Sequence, residues 1–330
     1  MINRESLQEA ARFLREHDRF LVLSHVNPDG DATGSALATA MMLEALGKEY
    51  IVANEGETPK KFSFLPRFHL LRNLSQQPLN ETFSAVIAVD CADRSRMGNV
   101  EALFAPGAAL LNIDHHPTND RFGSVNLIDP EAAATAEVLF ELAQAAGISF
   151  HEELALCIYT GLLTDTGGFR YANTSPRVME IAAKLLTYGV KPSEVAERCL
   201  EEITYSHVKI LRRALQTLTL SHQGKIAAIS VRQKDFAETG ADREDVSGLV
   251  NYCRNIEGVE VGVSFVEAEQ EAVKVSMRSR DLVDVSAVAK QLGGGGHKKA
   301  AGCTLRGDLE QVKKQVLQIL GQAVGVKEDA

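Results

Sequence analysis

A histidine and two aspartates cluster directly after the first apolar run of the chain. His25, Asp29 and Asp31 lie in the segment SHVNPDGDATG, residues 24–34, which follows the run FLVL, residues 20–23. Asn-Pro-Asp-Gly is a turn sequence, and an aspartate within it can cap the helix that follows. Imidazoles and carboxylates are also metal ligands. Taken alone, the segment fits a capped turn as well as a metal site.

More histidines and aspartates follow later apolar runs. Asp90 ends SAVIAVD, Asp114, His115 and His116 end ALLNIDHH, and Asp165 ends an apolar helical pattern in LLTDTGGF. A lone aspartate after a strand is commonly a turn former, whereas adjacent histidines there serve no obvious packing purpose. A carboxylate at the end of a helix opposes the helix dipole and is therefore unexpected. Together these positions favour metal binding.

The combined set contains imidazoles and carboxylates but no thiolate. In an acidic chain, such a set suits Mn²⁺ or Mg²⁺ better than Zn²⁺. One metal needs only three or four protein ligands, so a set of this size suggests two metals that share a bridging carboxylate. Two ions roughly 3.5–4 Å apart can clamp the attacking and leaving oxygens of a phosphoryl transfer.

The first half of the chain predicts a parallel sheet that would gather these residues. Its apolar runs are continuous rather than alternating, which indicates strands buried on both faces with helices on both sides of the sheet. The predicted strands are residues 20–24, 49–54, 84–90, 109–114 and 124–129. In open α/β sheets ligands bind outside the carboxyl ends of strands, so separate clusters can converge there.

The second half predicts helices followed by a smaller α+β domain. Residues 132–220 are mostly helical in pattern, and strands return after Gly224. We expect a first domain over residues 1–190, a helical linker over 191–215 and a second domain over 216–330.

The composition of the chain favours a soluble globular protein over a membrane protein or a protein that coats nucleic acid. With 45% hydrophobic and 24% charged residues, the chain is typical of a soluble globular protein. It contains no apolar run of about 18 residues and no secretory segment at its start, so we expect a cytoplasmic protein without a membrane partner. A net charge of −9 argues against coating long nucleic acid by bulk electrostatics.

A glycine-rich stretch in the second domain is a candidate for substrate binding. Alone, the glycines of GGGGHKKAAG, residues 293–302, fit a helix stop and a flexible loop. Followed by His297 and Lys298, the same loop can present N–H groups and cations to a phosphate. Arg278 and Arg280 could also grip a terminal phosphate or stack on a base. The candidates are Arg278, Arg280, Gly294, Gly295, Gly296, His297 and Lys298.

The motifs resemble, in order and spacing, those of the DHH phosphoesterase superfamily. The matching positions are His25, Asp29, Asp31, Asp90, Asp114, His115, His116 and Asp165. The glycine-rich stretch is similar to the signature of the DHH-associated substrate-binding domain, so the resemblance spans nearly the whole chain. Within the superfamily, the length and this signature most resemble the bifunctional nanoRNase and pAp phosphatase proteins.

The resemblance implies two Mn²⁺ ions, for which Mg²⁺ or Co²⁺ could substitute. His25, Asp29 and Asp90 would hold one ion. The ligands of the second would be Asp31, Asp90, His115 and Asp165, with Asp90 as the bridge. A hydroxide held between the ions would attack the phosphorus.

The same resemblance assigns the remaining two motif residues. His116 would face the scissile phosphate, as a hydrogen-bond donor or as an acid toward the leaving oxygen. Asp114 would accept a hydrogen bond that orients a histidine ring.

We therefore predict a phosphoesterase that hydrolyses short oligoribonucleotides to 5′-mononucleotides and converts 3′-phosphoadenosine 5′-phosphate (pAp) to AMP. One alternative is a linear dinucleotide hydrolase of the pApA type. An alternative of another class is a non-catalytic nucleic-acid-binding protein, against which the intact ligand set argues. A homodimer is implied by the resemblance alone.

Overall fold

The chain divides into two compact units between Glu202 and Ile203. The computed structural model describes residues 3–268 and 271–325. The division falls inside the segment 191–215, for which the sequence suggests a helical linker. Each unit contains its own six-stranded sheet.

The first unit is built on a parallel sheet, which confirms the predicted α/β class. The strands are β1 (Arg19–Leu23), β2 (Glu49–Asn54), β3 (Leu71–Asn73), β4 (Phe83–Val89), β5 (Phe104–Asp114) and β6 (Val125–Ile128). Their order is β3-β2-β1-β4-β5-β6, and every neighbouring pair is parallel. The carboxyl ends of β1, β4 and β5 are therefore adjacent at one edge of the sheet.

Apolar side chains cover both faces of this sheet, which explains the continuous apolar runs. Phe20 and Val22 point into a cluster with the long helices, whereas Leu21 and Leu23 join a second cluster that contains Met97. The helices are α1 (Arg4–Glu16), α2 (Gly30–Ala45), α3 (Thr135–Ala146), α4 (Glu152–Asp165), α5 (Pro176–Leu186) and α6 (Pro192–Ala196). Short 3₁₀ turns, Arg94–Met97 and Val100–Leu103, lie on the side of the second cluster.

The second unit is a smaller α+β domain with a mixed sheet of order β11-β12-β10-β9-β8-β7. Its elements are α7 (Tyr205–Gln216), β7 (Thr219–Ser221), β8 (Ile226–Val231), α8 (Gln233–Thr239), α9 (Leu249–Arg254), β9 (Val261–Ala268), β10 (Ala272–Ser279), α10 (Val285–Gln291), β11 (Gly295–His297), β12 (Ala300–Arg306) and α11 (Leu309–Val324). β8 and β9 pair in parallel, and the other neighbours are antiparallel.

Two details of the second unit differ from the sequence prediction. The helical pattern over 205–220 ends at Gln216, and Thr219–Ser221 forms a strand instead. The glycine-rich stretch is partly a strand rather than a loop throughout, because Gly295–His297 pairs with β12. Within the described parts of the chain, we find no helix long and apolar enough to cross a membrane.

Candidate metal centre

The turn after β1 forms the helix cap that its sequence allows. Asp29 is the N-cap of α2, and its Oδ1 accepts hydrogen bonds from the N–H groups of Asp31 and Ala32 at 3.0 and 3.1 Å. Such a bond satisfies N–H groups that have no partner within the helix. The cap uses Oδ1 alone, so the second carboxylate oxygen of Asp29 remains available to other partners.

Side chains from four parts of the first unit meet beyond the carboxyl ends of the strands. They form three groups of three residues. In each group every residue offers one possible metal-ligand atom, and these atoms lie within 4.8 Å of one another. The groups are His25, Asp29 and Asp90; Asp31, His115 and Asp165; and Asp90, His115 and His116. The structure thus brings together all the sequence-predicted ligands, and Asp90 belongs to two of the groups.

Asp90 occupies the centre of this arrangement. Its Oδ2 lies 3.5 Å from Nε2 of His25, and its Oδ1 lies 3.7 Å from Nε2 of His115. Burial alone would raise the pKa of Asp90, but the hydrogen bond with His25 and the nearby imidazole charges hold the pKa below its usual range. Asp90 also has a φ of 59°, a left-handed conformation that is uncommon for a residue with a side chain and often marks a functional site.

Asp31 is fully buried, and the protein itself engages both of its oxygens. Oδ1 accepts from the hydroxyl of Ser35 and the N–H of Ala136, while Oδ2 accepts from the N–H of Thr135 at 2.6 Å. Burial, followed by repulsion from Asp90 and other carboxylates, raises the pKa of Asp31 well above its usual value. The site therefore disfavours a full set of negative charges unless cations lie among them.

Asp165, at the end of α4, is a second carboxylate whose negative charge is disfavoured by its surroundings. Its Oδ2 lies 3.3 Å from Nε2 of His115, and burial with repulsion from Asp31 and Asp29 raises the pKa of its carboxyl well above the usual value. Carboxylate oxygens suit Mn²⁺ and Mg²⁺, and imidazole nitrogens suit divalent transition metals. The donor set thus fits divalent cations, which would relieve the repulsion among these carboxylates.

His116 is oriented by a chain of hydrogen bonds. Its Nδ1 lies 2.7 Å from Oδ1 of Asp114, which is fully buried. The other oxygen of Asp114 accepts from Nδ2 of Asn119 at 2.6 Å, and the same amide donates to the carbonyl of Cys91 at 2.9 Å. This arrangement fixes the direction of the His116 ring.

The predicted substrate-binding residues lie in the second unit. Arg278 lies in β10 and Arg280 directly follows the end of that strand, and the guanidinium of Arg280 donates to the carbonyls of Arg254 and Ile256 at 3.1 and 3.2 Å. Arg278 is directly opposite Gly262 and Ala300 in the sheet. Arg280 therefore has a structural role, because its guanidinium binds the backbone carbonyls at the end of α9.

The glycine-rich stretch uses its glycines in different ways. Gly293, with a φ of 76°, ends α10, which agrees with the helix stop that the sequence allows. A side chain at Gly294 would lie 2.2 Å from the carbonyl oxygen of Gly302, and Gly296 has a φ of 140°. His297 and Lys298 are exposed at the end of this strand.

Two residues of the centre, Thr135 and Asn119, were not predicted from the sequence. Thr135 contacts Asp90 through its hydroxyl and Asp31 through its N–H. The side-chain amide of Asn119 donates a hydrogen bond to the carboxylate of Asp114. A threonine within a run of alanines at the start of a helical pattern was a visible signal for Thr135, whereas Asn119 lies in a polar turn with no distinguishing pattern.

Comparison with known proteins supports the class that the fold and site define, a two-domain α/β protein with a candidate metal centre. Residues 19–162 match the N-terminal domain of the DHH family, and residues 207–325 match the DHHA1 domain. The bifunctional oligoribonuclease and PAP phosphatase NrnA of Thermus thermophilus is 40% identical over 90% of this chain and 87% of its own length. The protein of the same name from Bacillus subtilis is 29% identical, covering 90% and 92%.

A solved structure has the same fold over almost the whole chain. The exopolyphosphatase-related protein of Bacteroides fragilis superposes with a TM-score of 0.89 at 23% identity, covering 98% of this chain and 97% of that protein. The chain belongs to the DHH family. It is accordingly a phosphoesterase, a hydrolase that acts on ester bonds.

Proposed function

We propose that this chain is a manganese-dependent enzyme that hydrolyses short oligoribonucleotides to 5′-mononucleotides and converts pAp to AMP. The main observation in favour is Asp90, whose two oxygens face His25 and His115. A carboxylate shared in this way suits two cations. The names of the relatives that match most of the chain, oligoribonuclease and PAP phosphatase, support the choice of substrates.

The proposed ligands all belong to the three groups of side chains described above. His25, Asp29 and Asp90 hold one Mn²⁺. The second is held by Asp31, Asp90, His115 and Asp165. When bound, the ions supply positive charge for the phosphoryl oxygens and a lower pKa for water, and Mg²⁺ or Co²⁺ would be substitutes.

His116 acts on the leaving side of the reaction in this proposal. Its ring is fixed by Asp114 at 2.7 Å, so His116 can donate a hydrogen bond or a proton to the oxygen that leaves phosphorus. The carboxylates hold metals, and water supplies the nucleophile.

The second unit provides the proposed contacts to the rest of the substrate. Arg278 projects from β10 on the same face as Ser276, which is opposite Gly302, and Gly302 is opposite Gly295. These small residues place little side-chain bulk beside a cation, and glycine allows a close approach of backbone to a phosphate. Gly294, Gly296, His297 and Lys298 complete the proposed set, and Arg280 supports the neighbouring turn. A cytoplasmic location and a homodimer stay predictions from the sequence.

Turnover on a substrate panel tests the proposal. The purified chain is treated with chelator and assayed, with and without added Mn²⁺, on RNAs from dinucleotides to heptanucleotides, pApA, pAp and pyrophosphate. We expect Mn²⁺ to restore release of mononucleotides from the shortest RNAs and of phosphate from pAp. Strong preference for pApA over other dinucleotides would favour a dinucleotide hydrolase instead. No metal-dependent release from any RNA would refute the enzyme that we propose.

Substitution of Asp90 tests the shared carboxylate. Asp90→Asn keeps the shape but removes the charge, so we expect turnover to fall about 100-fold or more, beyond the 10–100-fold typical of residues that only orient a ligand. Asp18→Asn is a matched control, because Asp18 is an exposed partner of Lys48 just before the opposite, amino-terminal end of β1. We expect that control to keep full activity. An Asp90→Asn enzyme with near-normal turnover would exclude the bridging role.

A further inference from the structure

Thr135 stands at the point where the centre meets helix α3. It is the first residue of the helix and is fully buried. The preceding Ala134 has the extended backbone of an N-cap but no side chain that could accept a hydrogen bond. The first N–H groups of a helix have no partner within it, so these groups require an acceptor from elsewhere.

Asp31 supplies that acceptor from a distant part of the sequence. The N–H of Thr135 donates to Oδ2 at 2.6 Å, and the N–H of Ala136 donates to Oδ1 at 3.0 Å. Both oxygens of Asp31 are therefore held by the start of α3, where the helix dipole favours a negative charge. The carboxylate can rotate only if both bonds break.

The hydroxyl of Thr135 holds the other shared carboxylate. It donates to Oδ1 of Asp90 at 2.9 Å. This is the oxygen that faces His115, while Oδ2 faces His25. The Thr135 hydroxyl thus donates to the Asp90 oxygen on the side of His115 and leaves the other oxygen on the side of His25.

We propose that Thr135 is a positioning residue that fixes the spacing of the two metal positions. Its backbone N–H fixes the orientation of Asp31, a ligand proposed for one ion. Its hydroxyl fixes the orientation of Asp90, the ligand proposed for both ions. This inference rests on the proposed two-metal function. It predicts that the hydroxyl matters for the coupling between the ions and not only for the stability of the fold.

Metal binding in two variants tests the inference. Thr135→Val keeps the shape and the backbone N–H but removes the hydroxyl, and Thr135→Ser keeps the hydroxyl. Thr160→Val is the matched control, because Thr160 is also fully buried but its hydroxyl bonds to the carbonyl of Leu156 in its own helix. Mn²⁺ binding is measured by calorimetry, and coupling between the ions by electron paramagnetic resonance of the full chain. Circular dichroism verifies the fold of each variant.

The expected results separate this inference from the proposed function. We expect the unaltered chain, Thr135→Ser and Thr160→Val to bind two Mn²⁺ ions with a coupled spectrum. In Thr135→Val, we expect binding of one ion to weaken about 10–100-fold and the coupled spectrum to give way to that of isolated ions. A coupled spectrum and unchanged affinity in Thr135→Val would overturn the inference alone. Absence of two coupled ions in the unaltered chain would overturn the proposed function as well.

Discussion

At the level of single residues, Asp114 differs from the other aspartates of the centre. It belongs to none of the three groups that could hold a metal within the described residues. Its two oxygens instead connect Nδ1 of His116, at 2.7 Å, with Nδ2 of Asn119, at 2.6 Å. A buried carboxylate with both oxygens engaged has little freedom to rotate, so Asn119 indirectly fixes the His116 ring.

Replacement of Asn119 should therefore lower turnover without removing the metals. Asn119→Leu keeps the size of the side chain but deprives Asp114 of its donor, so we expect kcat on short RNA to fall about 10–100-fold. KM and Mn²⁺ affinity should change little, because the proposed metal ligands keep their partners. Steady-state kinetics and calorimetry measure these quantities.

Asn126→Leu provides the control for this prediction. Asn126 exchanges two hydrogen bonds with the backbone of Gly123 and contacts no residue of the centre through them. We expect it to retain kcat. Equal losses in both variants, or none in Asn119→Leu, would contradict the role of Asn119.

The sequence predicts which side chains meet at the candidate metal centre, but not the residues that hold those side chains in place. His25, Asp90 and His115 could be predicted because polar residues directly after buried strands share one edge of a parallel sheet. Thr135 and Asn119 act through hydrogen bonds to residues that lie far away in the sequence or in an irregular turn. Such bonds depend on tertiary placement, which no local pattern encodes.

At the level of elements, close packing of α2 against α4 positions Asp31. A side chain at Gly34 would lie 2.5 Å from the carbonyl oxygen of Cys157. A side chain at Gly161 would lie 2.5 Å from Oδ1 of Asp31 and 2.6 Å from Cβ of Ala136. Two glycines thus allow the helices to approach, and one of them leaves room for the carboxylate itself.

Alanine at these glycines should separate packing from metal binding. Alanine favours a helix by up to about 1 kcal/mol over glycine, but overpacking typically costs about 1–3 kcal/mol, so we expect both variants to be less stable. The clash decides the sign because the obstacle at Gly34 is a backbone carbonyl that cannot turn away. Only Gly161→Ala should also weaken Mn²⁺ binding, since it displaces Asp31. Urea unfolding and calorimetry provide the two measurements.

Gly34→Ala is the control, because it should lose stability as Gly161→Ala does but should keep its affinity for Mn²⁺. If it weakened Mn²⁺ binding as much as Gly161→Ala, general loosening of the helices would explain the result. Normal binding in both variants would show that Asp31 tolerates the displacement.

Elements with a clear apolar run were predictable, whereas short elements without one were not. β2 has the predicted bounds, because its apolar run is clear and ends at a polar residue. β3 has three residues, and β11 consists of two glycines and a histidine. Such strands lack a side-chain pattern of their own and form because a neighbouring strand supplies hydrogen bonds. The helices α8 and α9, with seven and six residues, were missed because fewer than two turns give no recognisable helical apolar period.

At the level of the whole molecule, the two units have separate hydrophobic cores. The clusters of the first unit contain buried residues up to Cys199, and those of the second begin at Ile210. Every proposed metal ligand lies in the first unit, and every proposed substrate contact from Arg278 onward lies in the second. Metal binding and substrate binding should therefore be separable by truncation.

A fragment that ends at Glu202 should fold and bind Mn²⁺, because it retains its own core and the whole ligand set. On dinucleotides and pAp, we expect kcat/KM to fall about tenfold or more, since binding energy from remote parts of a substrate contributes to catalysis. On bis(4-nitrophenyl) phosphate, which lacks those parts, the fragment and the full chain should have similar rates. The ratio of the two activities is therefore the measurement, and it corrects for any loss of active protein. Equal losses on both substrates would mean that the second unit supports the metal centre rather than the substrate.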